Sequence, residues 1–130
     1  DRGPANTWEL PDRPADKVIS YETRTDQALL YRLNGDRNPL HSDPTFAAMA
    51  GFDKPILHGL CTYGFTGRAL LHGACDSDPT RFTSMGGRFK SPVMPGETLD
   101  VHIWADGSDA LFQTRVADRV VFDNGTMTRS

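Results

Sequence analysis

Residues 18–23 (VISYET) alternate apolar and polar side chains, the two-residue period of a half-buried strand. The period then changes. Thr25 and Asp26 supply N-cap chemistry, Ala28, Leu29, Leu30, Tyr31 and Leu33 recur at helical spacing, and Gly35 after Asn34 is a natural stop. Segment 35–43 (GDRNPLHSD) is dense in turn formers. Ser42 or Asp43 can cap a short second helix, with Pro44 near its first position and Gly51 ending it. Residues 52–57 (FDKPIL) read as loop. From His58 to about Ala74 there is no proline and apolar residues lie nearly all round, the pattern of a buried helix. Gly59, Gly64, Gly67 and Gly73 each cost that helix about 1 kcal/mol of propensity. They make sense if other backbone, such as an enclosing sheet, approaches it closely. The remainder is strand-like over 82–91, 97–106, 110–118 and 119–128. Pro92, Pro95 and Gly96 punctuate the first gap, and Asp106-Gly107 is a hairpin turn. Asn124-Gly125 is a further hairpin signal by local rules.

This order predicts an α+β fold, one antiparallel sheet wrapped around one long central helix. Residues 1–17, with Pro4, Pro11 and Pro14, show no period and read as an extended arm or linker, leaving 18–130 as the domain.

Composition narrows the class. A chain of 130 residues that is 38% hydrophobic and 24% charged suits one globular domain, and excludes disordered, collagenous and membrane-spanning classes. Fourteen basic against seventeen acidic side chains give a net charge of −3, which favours neither nucleic acid nor an anionic membrane. Cys61 and Cys75 lie fourteen residues apart along the long helix. That is about 21 Å, beyond disulfide reach, so free thiols in a reducing compartment are expected. No secretory signal opens the chain. The first residue is Asp1 rather than methionine, which suggests a processed chain or a fragment.

Two clusters can carry chemistry. Asp36, Asn38 and His41 fall within six residues, stiffened by Pro39. A carboxylate and an imidazole converging in a turn can handle a water and a proton near neutral pH. The ordinary alternative is that Asp36 and Asn38 satisfy turn backbone and His41 packs or faces solvent. His58-Gly59 opens the long helix, where N–H groups lack partners and the dipole is positive. A glycine there lets a ligand oxygen approach the amide, as an oxyanion site requires; the ordinary alternative is a helix-start glycine with a capping histidine. Asp36, His41 and His58 could in principle share a metal, but a carboxylate with scattered imidazoles is a weak metal signature, and no metal is expected. No nucleophile elbow, phosphate loop, dinucleotide fingerprint or C-x-x-C pair occurs.

Residues 31–70 (YRLNGDRNPLHSDPTFAAMAGFDKPILHGLCTYGFTGRAL) closely resemble the R-specific enoyl-CoA hydratases, the hydratase 2 or MaoC-like family. The resemblance is nearest to the branch holding the hydratase domains of peroxisomal multifunctional enzymes type 2 and their bacterial relatives. Residues 87–99 (GRFKSPVMPGETL) resemble that family's central strand and Pro-Gly turn, and the likeness extends over about 18–128. It implies a hot-dog fold, with 119–128 as one continuous last strand and Asn124-Gly125 a bulge or strand-end feature. It implies that Asp36 and His41 are catalytic, that the Gly59 backbone N–H meets the thioester oxygen, and that Asn38 orders the pocket. Tyr31, His58, Arg88 and Lys90 are candidate substrate contacts, the last two by charge for coenzyme A phosphates. Asn34 stands where relatives often carry Ser.

The implied activity is reversible hydration of trans-2-enoyl-CoA to (3R)-3-hydroxyacyl-CoA, in fatty-acid or steroid side-chain β-oxidation. No cofactor is implied, coenzyme A being part of the substrate. Another hot-dog enzyme (a thioesterase or carrier-linked dehydratase) and a non-catalytic acyl-CoA-binding half stay open. The expected partner is a second hot-dog domain or subunit, either a homodimer mate or an N-terminal half of which this chain is the catalytic counterpart. The terminal Thr-Arg-Ser is not a peroxisomal address, which favours a bacterial cytoplasm, or the peroxisome if the source is eukaryotic.

Overall fold

A computed structural model describes residues 8–130, apart from the side chain of Asp106. Five strands, β1 (Lys17–Glu22), β2 (Phe82–Phe89), β3 (Thr98–Asp106), β4 (Asp109–Val116) and β5 (Arg119–Arg129), form one sheet in the order β1-β3-β4-β5-β2. Every pairing is antiparallel. Helices α1 (Gln27–Arg32), α2 (Pro44–Met49) and α3 (Gly59–Ala74) fall between β1 and β2, with single 3-10 turns at Pro39–His41 and Pro79–Arg81. The sheet curls around α3 in the expected hot-dog arrangement, with α3 touching β1, β2 and β3. No helix among the described residues is long and apolar enough to cross a membrane.

The core lies between α3 and the inner face of the sheet. Leu70 and Ala74 pack against Val101, Ile103, Phe112, Phe122 and Met127. A smaller cluster of Ala28, Leu57, Cys61, Val93, Leu99 and Val121 sits toward the helix N-terminus and backs the site described below. A fully buried polar link crosses the core, a 2.7 Å hydrogen bond between the hydroxyls of Thr66 and Thr114. Both cysteines are buried and unbridged.

Several local expectations are corrected. Helix α3 is not buried all round: Leu60, Gly64, Arg68 and His72 form an exposed stripe at four-residue spacing. One sheet encloses three sides of a helix and leaves the fourth bare. Gly73 is approached closely, but by side-chain ends rather than backbone. A Cβ there would lie 2.7 Å from Cδ1 of Ile19 and 2.8 Å from Cδ1 of Ile103. Asp26 occupies the N-cap of α1 without capping it, because its carboxylate is held by Arg24 at 2.7 and 3.1 Å. Asp43 does cap α2, accepting from the Thr45 and Phe46 N–H groups.

Asn124-Gly125 is not a turn. Strand β5 runs through it, and Asp123 and Asn124 together oppose the single residue Gln113 on β4, which makes a bulge. Asn124 takes φ of 54°, a left-handed conformation that asparagine tolerates. Gly125 is obligatory, since a Cβ there would collide with the Phe112 carbonyl oxygen. Asn124 thus supplies the turn-like backbone without reversing the chain.

Residues 8–16 lie along the sheet. The Trp8 indole N–H donates to the Gly125 carbonyl at 2.9 Å, and the Trp104 indole N–H to the Arg13 carbonyl at 2.9 Å. Residues 1–7 of the predicted arm lie outside the described residues.

Candidate active site

The site grows out of the turn between α1 and α2. Gly35, with φ of 110°, redirects the chain after α1. Oδ1 of Asp36 then accepts the Asn38 N–H at 3.3 Å, and Oδ1 of Asn38 accepts the Leu40 N–H at 3.0 Å. These bonds, with Pro39 at its first position, set the 3-10 turn that ends on His41. The ordinary reading of Asp36 and Asn38 as turn-satisfying groups therefore holds alongside the chemical one. One oxygen of Asp36 bonds the turn, and its carboxylate remains 46% exposed.

His41 is held by the loop before α3. Its Nδ1 lies 2.8 Å from the Ile56 carbonyl oxygen, and the Ile56 N–H donates to the Leu40 carbonyl at 3.2 Å. A carbonyl only accepts, so Nδ1 carries the hydrogen and Nε2 presents a lone pair.

His58, the N-cap residue of α3, packs behind this pair. It is 1% exposed, and its ring stacks on His41 with centroids 3.8 Å apart. Nε2 donates to the backbone carbonyl of Asp36 at 3.1 Å and stands 3.9 Å from its Oδ2. Burial holds His58 below the usual histidine range; the proton of His41 would act in the same direction, and the Asp36 carbonyl and carboxylate oppose it. Its Nδ1 has no hydrogen-bond partner among the described residues.

Gly59 then opens α3. Its N–H is the first of the helix, with no carbonyl a turn before it within α3, and sits at the positive dipole end. His41 and Gly59 both line a cavity of about 270 Å³, with Thr62, Phe89, Lys90 and Val93 on its other walls. A second cavity of about 220 Å³, bounded by Ala28, Leu29, Ser42 and Lys54, is also lined by His41. A larger concavity of about 460 Å³ beside Thr23 and Gly96 contains none of these reactive groups.

The predicted residues divide accordingly. Asp36, His41 and His58 come together, each with a nitrogen or oxygen within 4.8 Å of the others. Lys90 lines the His41 cavity and stands 3.8 Å from Asp123. Arg88 lies outside it, in a neighbouring groove with Lys90 and Asn124. Tyr31 packs on the His58 ring, centroids 4.6 Å apart, and otherwise faces an apolar groove with Leu60 and Phe65. His58 is too buried to present surface to a substrate. Sequence reasoning missed Thr62 and Phe89 as cavity walls. Thr62 follows Gly59 by three residues, one helical turn on the same face, and that spacing could have found it.

The trio is poorly arranged for a metal. A ring nitrogen's lone pair lies in its ring plane, and these two rings stack face to face. An ion about 2.1 Å from both nitrogens would stand above the rings rather than in their planes.

The MaoC-like domain model matches residues 6–125. The chain is 54% identical over 127 residues to 3-hydroxyacyl-thioester dehydratase Y of Mycobacterium tuberculosis, covering 92% of this chain and 44% of that protein. It is 54% identical over 106 residues to enoyl-CoA hydratase ChsH3 of the same organism, covering 82% of this chain and 37% of that protein. The full-length peroxisomal multifunctional enzyme type 2 of Drosophila melanogaster superposes with a TM-score of 0.93 at 42% identity, covering 100% of this chain and 25% of that one. The chain thus spans less than half the length of these relatives. With a match across nearly its whole length and the hot-dog architecture in place, the chain belongs to the MaoC-like domain family.

Proposed function

We propose that this chain carries the catalytic site of an R-specific 2-enoyl-CoA hydratase. The reading rests on one juxtaposition: the Asp36 carboxylate and the His41 imidazole lie within 4.8 Å of each other, and His41 and Gly59 line one cavity. Two hydrogen bonds of about 2.8 Å at a tetrahedral oxygen span about 4.6 Å, and in this reading one water bridges carboxylate and imidazole. Nε2 of His41 takes a proton from that water as its oxygen bonds the β-carbon of the enoyl thioester. Asp36 accepts the water's second O–H and faces the resulting imidazolium. The C=C electrons move onto the thioester oxygen, where the Gly59 N–H and the α3 dipole stabilise the enolate, a contribution of about 3 kcal/mol for one such donor. The proton held on Nε2 is then delivered to the α-carbon. Water is added without redox change, and every atom comes from water or substrate, so no cofactor enters.

Lys90, at the cavity wall, is the better placed of the two basic candidates for a coenzyme A phosphate. A second hot-dog domain or subunit is the proposed partner. The exposed Leu29, Leu33 and Leu60 offer it apolar surface, and the named relatives are two or more times longer than this chain. The acyl group belongs to fatty-acid or steroid side-chain β-oxidation, and the compartment is a bacterial cytoplasm, or the peroxisome in a eukaryote.

The test is loss of enoyl-thioester absorbance with a 2-enoyl-CoA, and the configuration of the product. Activity giving the 3R alcohol, reduced at least about a hundredfold by Asp36→Asn, is expected. Release of free thiol without hydration points instead to a thioesterase. Inactivity both alone and with the longer parent protein removes the hydratase reading.

A further inference from the structure

His58 is an expensive residue where it stands. A helix N-cap is best filled by Ser, Thr, Asp or Asn, whose side chains accept a backbone N–H, and His58 makes no such bond. It is 1% exposed, and its Nδ1 is buried without a partner among the described residues. A buried polar atom left unsatisfied costs stability, so its retention needs another reason. The contacts supply one. A single side chain touches both groups proposed to act on the substrate, through the 3.1 Å bond to the Asp36 carbonyl and the 3.8 Å stack on His41. Its backbone continues directly into Gly59. Tyr31 closes the ring's remaining side at 4.6 Å.

We infer that His58 is a positioning residue that fixes the separation of Asp36 and His41 through a hydrogen bond to one and a ring stack on the other. This rests on the hydratase reading for the roles of those two, and on geometry alone for the rest. The titratable side chains facing His58 are Asp36, His41 and Tyr31. Nε2–H is committed to the Asp36 carbonyl, and burial disfavours a second proton on the ring, which favours a neutral face toward His41. A second cation at 3.8 Å would oppose the imidazolium that the proposed reaction forms.

Two substitutions separate the contacts. His58→Gln keeps an N–H donor toward Asp36 and removes the stack. His58→Phe keeps the stack and removes the donor. Each is expected to lower kcat by about tenfold or more with KM changed little, to move the acid limb of the pH–rate profile, and to retain cooperative unfolding. Unchanged kcat in both folded variants overturns the inference. So does a fall in kcat with an unmoved pH profile, which marks a merely structural role. Nitrogen-15 imidazole spectra of the unsubstituted chain give a readout independent of activity. They are expected to show His58 as the Nε2–H tautomer and neutral between about pH 7.5 and 8.5, a window above its ordinary value. An Nδ1–H tautomer or a protonated His58 in that window overturns the inference even if neither variant folds. Inactivity both alone and with the longer parent protein, beside the expected spectra, removes the hydratase reading and leaves the positioning geometry supported.

Discussion

The Nδ1–H of His41 points at the carbonyl oxygen of Ile56, 2.8 Å away and fifteen positions further along the chain. One backbone acceptor thereby chooses which ring nitrogen is available for chemistry. Replacing His41 with Gln keeps a polar side chain but removes the base, and is expected to lower the hydration rate by about 10²–10⁴. Steady-state rates with a 2-enoyl-CoA, beside a thermal melt showing the fold retained, check this.

Gly59 gives a different signature. An added Cβ would lie 3.2 Å from Cζ of Phe89, a half-exposed ring that can swing aside. Alanine is also the better helix former, by up to about 1 kcal/mol. Gly59→Ala should therefore leave the unfolding midpoint nearly unchanged. Its methyl group stands at the mouth of the donor site, so kcat/KM should fall by about tenfold or more. A large fall in midpoint would show that Phe89 cannot yield.

Acid should destabilise the fold before the carboxylates titrate. Burial holds both His58 and His102 below the usual histidine value of 6.5. Unfolded, each takes up a proton near that value; folded, each does so only at lower pH. The unfolded chain thus binds more protons as pH drops below about 6.5, and stability declines with it. Thermal midpoints are expected to be highest above about pH 7 and to fall progressively below 6.5, less steeply in His58→Gln. A midpoint that rises on acidification from pH 7 to 5.5 contradicts this.

Neither thiol should report on the native state. Burial pushes Cys61 up to about 11, and raises Cys75 for the same reason. At pH 7 only about one Cys61 in ten thousand is thiolate. An aromatic disulfide reagent is expected to be inert toward the folded chain and to titrate both cysteines in denaturant. Fast reaction of the native protein would mean that the helix opens locally.

Much of the fold was legible because local chemistry and tertiary demand agree. Asp43 and Pro44 start α2, and the β3–β4 hairpin turns at Gly107 as its Asp-Gly pair indicates. The spacing of Asp36, Asn38 and His41 was legible as a polar knot in a stiff turn. The burial of His58 was not, because Tyr31, Asp36 and His41 reach it from outside α3. Nor was the tautomer of His41, since a backbone carbonyl leaves no trace in residue identity. The bare stripe on α3 was hidden by Leu60 and Gly64, which look like core in a chain read alone. Asn124-Gly125 was misleading locally, since the left-handed backbone that makes a hairpin also makes a bulge.

That bulge sets the phase of everything after it. Phe122 before it and Gly125 and Met127 after it are buried, so across the bulge the inward positions are three residues apart instead of two. A substitution at Asp123 or Asn124 alters one contact. Pairing the strand without the bulge, with every residue kept, would instead turn Thr126 and Thr128 inward and Met127 out to water, inverting the last strand's two faces at once. The end of β5 thus depends on a count of residues as well as on their kinds.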